Sequence, residues 1–363
     1  MTIQEREPGF KPARFKALFP FNQLQRPGAG HVLAALLLAA GAAGCAPIEG
    51  WRPVPSALAP AGPAAARISM LWWLMFGLGT VIYLGVMAYL AVALFRRRRE
   101  QPEDFASHEQ GRNVVLLGGI VMPAVVLVTL IAATIGTLRA ISAPAETDPD
   151  ALTIEVIGRQ WWWEVYYPQQ QFYTANEIHI PAGERVKIIM TSEDVIHSFW
   201  VPQLHGKLDL NPKQFTTLWL EADQPGVYWG ECAEFCGVQH AKMQFAVIAH
   251  PRQELEAWFA AQQQPAPEPV TESAQRGLEV FTLAQCGNCH RIQGTHATGI
   301  LGPDLTHMAS RMTLGAGTVL NNRGNLGGWV KDPHGIKPGV LMPSSPIDGA
   351  DMEALLDYLA SLE

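Results

Sequence analysis

Three uncharged apolar stretches lie within the first 140 residues of the chain. The first, at 32–44, is shorter than the roughly 20 residues that a bilayer-spanning helix needs. The other two, at 70–95 and 114–138, contain no charged residue and are long enough to span a membrane. The pattern therefore predicts a transmembrane helical hairpin within residues 68–140.

The shortest apolar stretch has the features of a secretory signal. Basic residues precede it, and the small residues Ala-Ala-Gly lead directly to Cys45. This junction resembles a bacterial lipoprotein cleavage site. We therefore expect residues 1–44 to be a leader and Cys45 to be the lipidated first residue of the mature chain. An uncleaved or conventionally cleaved signal with a free Cys45 is the alternative.

The loop between the two long stretches predicts the topology. Residues 96–112 contain five arginines, and the positive-inside rule places such a loop in the cytoplasm. Residues 45–67 and everything after the second helix then lie outside. We expect a multi-pass protein of the bacterial plasma (inner) membrane, with its C-terminal region on the periplasmic side.

The pattern changes after the second helix. Short segments rich in β-branched and aromatic residues, separated by Pro and Gly turns, predict an antiparallel β-sandwich or barrel within residues 150–260. A Pro/Gln-rich linker at 261–271 follows. From 272 to 363 helical patterns alternate with Gly-rich loops, which predicts an all-α domain. Its last segment places these apolar residues on one helical face: Met352, Leu355, Leu356, Leu359 and Leu362.

Composition agrees with a chain that is part membrane-embedded and part soluble. Hydrophobic residues make up 48% of the 363 residues and charged residues 16%, which argues against disorder. The net charge of -7 argues against nucleic-acid binding. Five cysteines form two close pairs plus Cys45, a poor framework for disulfides.

The first cysteine pair belongs to a dense set of metal-ligand residues. The segment 232–243 reads CAEFCGVQHAKM, and His197 lies upstream in EDVIHSFW. Two thiols, two imidazoles and a thioether suit copper, and two cysteines can bridge a binuclear centre for electron transfer. The candidate ligands are His197, Cys232, Cys236, His240 and Met243. A structural Cys2His2 zinc site and a disulfide between the two cysteines are the alternatives.

This motif, the upstream D-V-x-H-S-F and the two N-terminal helices resemble cytochrome c oxidase subunit II over residues 68–250. The resemblance implies a cupredoxin-like fold with a binuclear CuA centre, in which Cys232 and Cys236 bridge both copper ions. It also implies that His197 and Met243 complete the coordination of one copper ion, and that His240 and the main-chain carbonyl of Glu234 complete that of the other.

The same resemblance assigns roles to residues around the copper ligands. The side chain of Glu234 is implied to touch a magnesium site shared with subunit I. Trp161, in the GRQWWW stretch, aligns with the tryptophan through which electrons enter, although ordinary packing is the alternative for such a residue. Asp194 is acidic in the family too and is implied to help dock a cytochrome.

The second cysteine pair forms the segment CGNCH at 286–290, the signal for covalent attachment of haem c. Cys286 and Cys289 would add to the haem vinyl groups, and the adjacent His290 is placed to bind the iron. A redox-active C-x-x-C motif is the alternative.

A second axial ligand must come from later in the chain. Met342 lies in KPGVLMPSSP, a turn-rich loop before the last helix, and His/Met ligation suits electron transfer. We expect Met342 to bind the iron opposite His290. The other candidates are His296, His307, Met308, Met312, His334 and Met352.

Residues 272–363 resemble a class I cytochrome c. Gly277 and Phe281 precede CGNCH at the family spacing, and Tyr358 supplies the aromatic residue of the C-terminal helix. A subunit II fused to such a domain resembles the caa3-type haem–copper oxidases.

That resemblance implies the electron-entry subunit of a cytochrome c oxidase. Electrons would pass from haem c to CuA and on to subunit I, which reduces oxygen to water with proton translocation. The implied partners are subunit I, subunit III, and a donor such as a cytochrome bc complex or soluble cytochrome c. A CuA-containing subunit of a nitric oxide reductase and a membrane-tethered electron shuttle without an oxidase partner are the alternatives.

Overall fold

The computed structural model describes residues 54–97, 108–142 and 151–363. The predicted leader and Cys45 lie outside the described residues, as does most of the arginine-rich loop.

The N-terminal part of the described chain is mainly helical and largely apolar. Its helices are α1 (Pro63–Arg97), α2 (His108–Leu116) and α3 (Met122–Ser142), and a π-helical turn at Leu117–Val121 makes α2 and α3 continuous. Two stretches, Pro63–Phe95 and Gly111–Ser142, are long and apolar enough to cross a membrane. The predicted hairpin is therefore present as two helices, and both are longer than the uncharged stretches.

The extra length of α1 has a structural cause. Its first turns rest on the following domain: the Ala65 N–H donates to Leu204 O at 3.2 Å, and Ala65 and Ser69 are buried. At 1.5 Å per residue, a helix of 33 residues is about 50 Å long, whereas a bilayer core is about 30 Å thick. The first turns of α1 therefore serve as a support for the domain that follows.

Residues 151–262 form the β domain, a sandwich of two five-stranded sheets. The strands in chain order are β1 (Thr153–Arg159), β2 (Trp162–Tyr167), β3 (Phe172–Ala175), β4 (Glu177–Pro181), β5 (Val186–Ser192), β6 (His197–Trp200), β7 (Leu208–Leu210), β8 (Thr216–Leu220), β9 (Gly226–Cys232) and β10 (Gln244–His250). One sheet has the order β3-β2-β1-β5-β8 and the other β4-β10-β9-β6-β7. Alternate residues of β1, β2 and β5 face the core, as in Ile154 and Val156 of β1.

The prediction of an antiparallel sandwich was wrong in one respect. Strands β1 and β5 pair in parallel, and so do β4 and β10, so both sheets are mixed. Alternation of apolar and polar residues has the same period in either direction, so the sequence pattern carries no information on strand direction.

A helix that the strand pattern did not predict closes the β domain. Helix α4 (Arg252–Gln262) buries Leu255 and Phe259. The Phe259 ring lies 5.5 Å from Tyr167, edge to face. The spacing of four residues between its buried side chains places them on one face of the helix.

Residues 272–363 form the helical domain. It contains α5 (Glu272–Leu283), α6 (Arg323–Lys331), α7 (Pro333–Ile336), α8 (Gly349–Ala360) and a small hairpin, β11 (Thr313–Leu314) with β12 (Val319–Leu320). The predicted apolar face of the last helical segment is confirmed, because all five of its residues are buried. This face packs on α5, where Gly277 allows the close approach. A Cβ at that position would lie 2.0 Å from Ala354 O.

The helical domain lies against the β domain. The Gln244 N–H donates to Ala316 O at 3.1 Å, and the Met312 N–H donates to the Glu177 carboxylate at 2.8 Å. The Arg291 guanidinium lies 4.2 Å from the centre of the Tyr173 ring. The shared interface therefore reaches the first residues of β4 and β10.

We expect Gly277→Val to destabilise the helical domain by about 3 kcal/mol, because the new side chain meets main chain that cannot move aside. Calorimetry of the purified full chain should show the transition of this domain at lower temperature. Gly328→Val is the matched control, since a Cβ at this glycine of α6 has only the end of Ile336 within 4 Å, at 3.6 Å. Equal effects from both substitutions would contradict the close-packing explanation.

Candidate functional site

The copper loop, residues 232–243, lies at one end of the β domain between β9 and β10. Cys232 is the last residue of β9, and a single 3-10 turn at His240–Lys242 leads into β10. The Cys232 N–H donates to Met243 O at 2.9 Å, which closes the loop on itself. His197 begins β6, the neighbour of β9, so the sheet brings a distant histidine to the loop.

The sulfur and nitrogen atoms of the predicted ligands form one cluster. The Sγ atoms of Cys232 and Cys236 lie 3.8 Å apart. His197 Nδ1 is 3.9 Å from Cys232 Sγ, and His240 Nδ1 is 3.7 Å from Cys236 Sγ. Each thiol therefore has its own imidazole, in agreement with the binuclear arrangement that the resemblance implies.

The remaining two predicted ligands complete the cluster. Met243 Sδ lies 3.7 Å from Cys236 Sγ and is fully buried. The carbonyl oxygen of Glu234 lies 3.2 Å from Cys232 Sγ. The structure thus brings together all six residues that sequence analysis assigned to this site. The thiols are unbonded, as their separation is far beyond the roughly 2.05 Å of a disulfide, which argues against that alternative.

The charge state of the thiol pair favours a bound cation. A hydrogen bond from Cys236 lowers the pKa of Cys232 far below that of a free thiol, and the same contact raises the pKa of Cys236. Two thiolates this close repel each other, and a bound cation would offset that repulsion. Soft sulfur and imidazole donors in a buried pocket fit copper.

Asp194 orients one of the imidazoles. Its Oδ1 lies 2.8 Å from His197 Nε2, so the other ring nitrogen, Nδ1, faces the sulfur of Cys232. Burial opposes a positive charge on His197, but the hydrogen bonds with Asp194 and Cys232 outweigh it and raise the His197 pKa. Asp194, for which the resemblance implied docking of a cytochrome, also accepts the Gln160 N–H at 2.6 Å.

Sequence reasoning missed Gly158, although it begins the GRQWWW stretch. A Cβ at Gly158 would lie 2.7 Å from the His197 ring, so a side chain there would displace the imidazole. Gly158 belongs to β1 and His197 to β6 of the other sheet, so only the packing of the two sheets places these two residues in contact. The sequence contains no local signal for it.

Trp161 contacts the copper loop directly. Its indole Nε1 donates to Cys236 O at 3.0 Å, and the side chain of Gln160 donates to the same oxygen at 2.7 Å. Gly237 has a φ of +119°, and a Cβ there would lie 3.0 Å from the Trp161 ring. The ring is 8% exposed, so Trp161 packs as a core residue and also touches the main chain of a candidate copper ligand.

The C-x-x-C-H segment follows α5 in the helical domain. Cys286 begins a 3-10 turn, and Cys289 and His290 follow it directly. His290 Nδ1 lies 2.8 Å from Pro303 O. Because a carbonyl only accepts, Nδ1 holds the proton and the lone pair of Nε2 remains for iron. A Cβ at Gly302 would lie 2.5 Å from the His290 ring, so this glycine makes room for the imidazole.

The structure separates the candidates for the second axial ligand. Met308 and Met352 are buried in the core of the domain. Both ring nitrogens of His307 bond to main-chain carbonyls, those of Glu363 and Gln264. His296, His334 and Met312 remain, the histidines exposed and Met312 at the β-domain interface. Met342 is half-buried in the loop between α7 and α8 and stays a prediction.

Two family models match the two domains. The model described as the periplasmic domain of cytochrome c oxidase subunit II matches residues 169–250, and the model described as cytochrome c matches residues 274–363. The first implies a CuA copper centre and the second a haem. Both metal-binding segments, 232–243 and 286–290, lie inside the matched regions.

Curated relatives cover most of the chain. Cytochrome c oxidase subunit 2 of Alkalihalophilus pseudofirmus is 37% identical over 317 residues, which is 85% of this chain and 91% of that protein. The subunit of the same name from Bacillus sp. strain PS3 is 31% identical and covers 74% of this chain and 80% of its own length.

Among solved structures, the periplasmic domain of subunit II of cytochrome oxidase from Bradyrhizobium japonicum aligns with 32% of this chain and 97% of its own, at 29% identity and a TM-score of 0.31. The relatives, the family model and the two apolar helices indicate a membrane protein with a periplasmic domain, partnered with subunit I of a cytochrome c oxidase. On the identity and coverage of these relatives, the chain belongs to the cytochrome c oxidase subunit II family, with a cytochrome c domain at its C-terminal end.

Proposed function

We propose that the chain is subunit II of a caa3-type cytochrome c oxidase and passes electrons from a covalent haem c to a binuclear CuA centre and on to subunit I. The observation that carries this proposal is the complete set of sulfur and imidazole donors in the β domain, with the haem-binding motif in a domain packed on it. Bound copper and haem supply one-electron redox chemistry, and the protein supplies ligands, burial and fixed geometry.

At the copper centre, Cys232 and Cys236 would both hold the two ions. The separation of their sulfurs, 3.8 Å, supports this role, because both can serve one centre. His197 with Met243 would hold one copper ion, and His240 with the Glu234 carbonyl would hold the other. A thioether gives zinc no advantage, so the participation of Met243 favours copper over a structural zinc.

At the haem, Cys286 and Cys289 would form the covalent links, and His290 and Met342 would bind the iron. The Pro303 carbonyl fixes the ring of His290, which keeps Nε2 aimed in one direction. Ser345 N–H donates to Lys331 O at 3.1 Å and thereby ties the loop that carries Met342 to α6. The loop is therefore anchored to the helical domain close to Met342, the residue proposed to bind the iron opposite His290.

The membrane arrangement is part of the proposal. Both apolar helices span the bacterial plasma membrane, with the arginine-rich loop in the cytoplasm and both domains outside. The proposal also includes two partners: subunit III, and a donor that is a cytochrome bc complex or soluble cytochrome c. It further includes a magnesium site at the side chain of Glu234, electron entry through Trp161 and lipidation of Cys45.

Purification of the intact complex tests the function as a whole. We expect the spectrum to contain haem c, the near-infrared band of CuA and the haems of subunit I together, and we expect the preparation to consume oxygen. Metal analysis should find copper at this subunit. One zinc and no copper in the external region, or reduction of nitric oxide without consumption of oxygen, would contradict the proposal.

A substitution at Asp194 tests the copper assignment. We expect Asp194→Ala to weaken copper binding about 10–100-fold, because His197 loses the partner that sets its tautomer and orientation. Copper content and the near-infrared band after dialysis are the measurements. The neighbouring Glu193→Ala is the matched control. If Asp194→Ala retains copper and only weakens the interaction with a cytochrome, its role is docking instead.

A substitution at Met342 tests the haem assignment. We expect Met342→His to abolish the weak long-wavelength band of thioether-ligated ferric haem and to lower the reduction potential. The copper band should stay unchanged. Met352→Leu, a volume-conserving change in the core, is the control and should leave the haem band intact. Survival of the band with an unchanged potential in Met342→His would show that the ligand lies elsewhere.

A further inference from the structure

Three consecutive residues of the helical domain bind the copper loop. The carbonyl oxygen of Ile336 accepts a hydrogen bond from the Lys242 ammonium at 2.6 Å, and that of Pro338 accepts one from the side-chain amide of Gln239. Between these two residues, the side chain of Lys337 enters the interface itself. This segment is therefore in contact with the copper loop along its whole length.

Lys337 is 1% exposed, and its ammonium has three acceptors. Lys337 Nζ donates to Trp161 O at 2.8 Å, to Lys242 O at 2.7 Å and to Gly315 O at 2.8 Å. An ammonium carries three N–H donors, so every donor has a partner. Burial of a charge is costly unless it is hydrogen-bonded in this way, and an apolar side chain would fill the space at lower cost. The three hydrogen bonds of Lys337 therefore make a connection that an apolar side chain of the same size could not make.

The three carbonyls come from three separate parts of the chain. Trp161 lies at the turn from β1 to β2, and its ring bonds to the carbonyl of Cys236. Lys242 lies in the copper loop next to Met243, and Gly315 lies in the hairpin of the helical domain. One ammonium thus joins two segments of the copper site to the domain that contains the haem motif.

The position of Lys337 in the chain links this contact to the haem. Met342, the proposed axial ligand, follows five residues later in the same loop. A shift of residues 336–338 along the copper loop would therefore move the chain that supports this ligand. The contact therefore fixes the start of the loop that carries Met342 relative to the copper loop.

We propose that Lys337 is a positioning residue that holds the helical domain in its electron-donating position on the copper loop. The proposal rests on the proposed function for the identity of the two redox centres. The docking contact itself does not depend on that identity, so the two can be tested separately.

The test compares Lys337→Met with the unmodified complex. Methionine retains the length of the side chain but removes all three hydrogen bonds, and of their acceptors Gly315 O keeps a donor in the Thr318 hydroxyl. Lys331→Met is the matched control, because Lys331 is exposed and its ammonium bonds to one carbonyl of its own domain, Ile347 O at 3.0 Å. Lys242→Met, which removes the single bond to Ile336, is a milder second variant should Lys337→Met fail to fold.

Two measurements are made on the purified complex. Hydrogen exchange followed by mass spectrometry should become about tenfold faster in 336–340 and 238–244 of Lys337→Met, and stay unchanged in α5 and α8. Electron transfer from haem to copper after flash reduction should become slower, while both absorption spectra and the haem potential stay the same. Lys242→Met should show smaller changes in the same direction, and Lys331→Met none.

Unchanged exchange in both interface segments of Lys337→Met would overturn the proposal, whatever the copper content of the complex. Faster exchange with an unchanged rate of electron transfer would also overturn it, because Lys337 would then hold the domains without affecting donation. Absence of haem-to-copper transfer in the unmodified complex would count against the proposed function, and the exchange result would still decide whether Lys337 holds the interface.

Discussion

Two buried thiols held 3.8 Å apart are the constraint on which the rest of the β domain depends. Two thiolates at this distance repel each other, and the thiol pair loses hydration because it lies in the core. The loop that carries them is therefore closed by main-chain bonds and by aromatic and amide side chains around the Cys236 carbonyl. A preorganised set of donors of this kind would need little rearrangement when the charge of a bound metal changes, which fits the proposed electron transfer.

The supports of this loop come from the whole chain. Strand β6 supplies an imidazole, the turn after β1 supplies an indole, and the helical domain covers the outer face through residues 336–338. The first turns of α1 support the β domain through main-chain bonds near Leu204. The β domain is thus in contact with an apolar helix as well as with the helical domain.

The domain interface is polar where it meets the copper loop. Main-chain carbonyls there accept from Lys337 and Lys242, and the Glu177 carboxylate accepts a main-chain N–H elsewhere in the interface. Hydrogen bonds of this kind fix one relative position, whereas apolar contacts tolerate sliding. Electron transfer between two centres in one chain benefits from that property, because the separation of the centres stays fixed without a binding equilibrium.

The sequence by itself determined the class of each part and most of the chemistry. Apolar stretches predicted two long helices, alternation predicted the sandwich, and the spacing of Cys232, Cys236, His240 and Met243 predicted one metal cluster, because these ligands are close in the chain. A periodic or local pattern can carry such information. It does not carry strand direction, which is why the parallel pairs of β1 with β5 and of β4 with β10 were not predicted.

Only the tertiary structure decided the contacts between distant segments. Asp194 lies three residues before His197 and hydrogen-bonds to its ring. The position of that ring depends also on Gly158, which lies in another strand. The burial of Lys337 against Trp161 joins residues 176 positions apart. A lysine in a Gly/Pro-rich loop has the sequence signature of an exposed side chain. Its acceptors exist only after both domains have folded and docked, because each carbonyl belongs to a different segment of the chain.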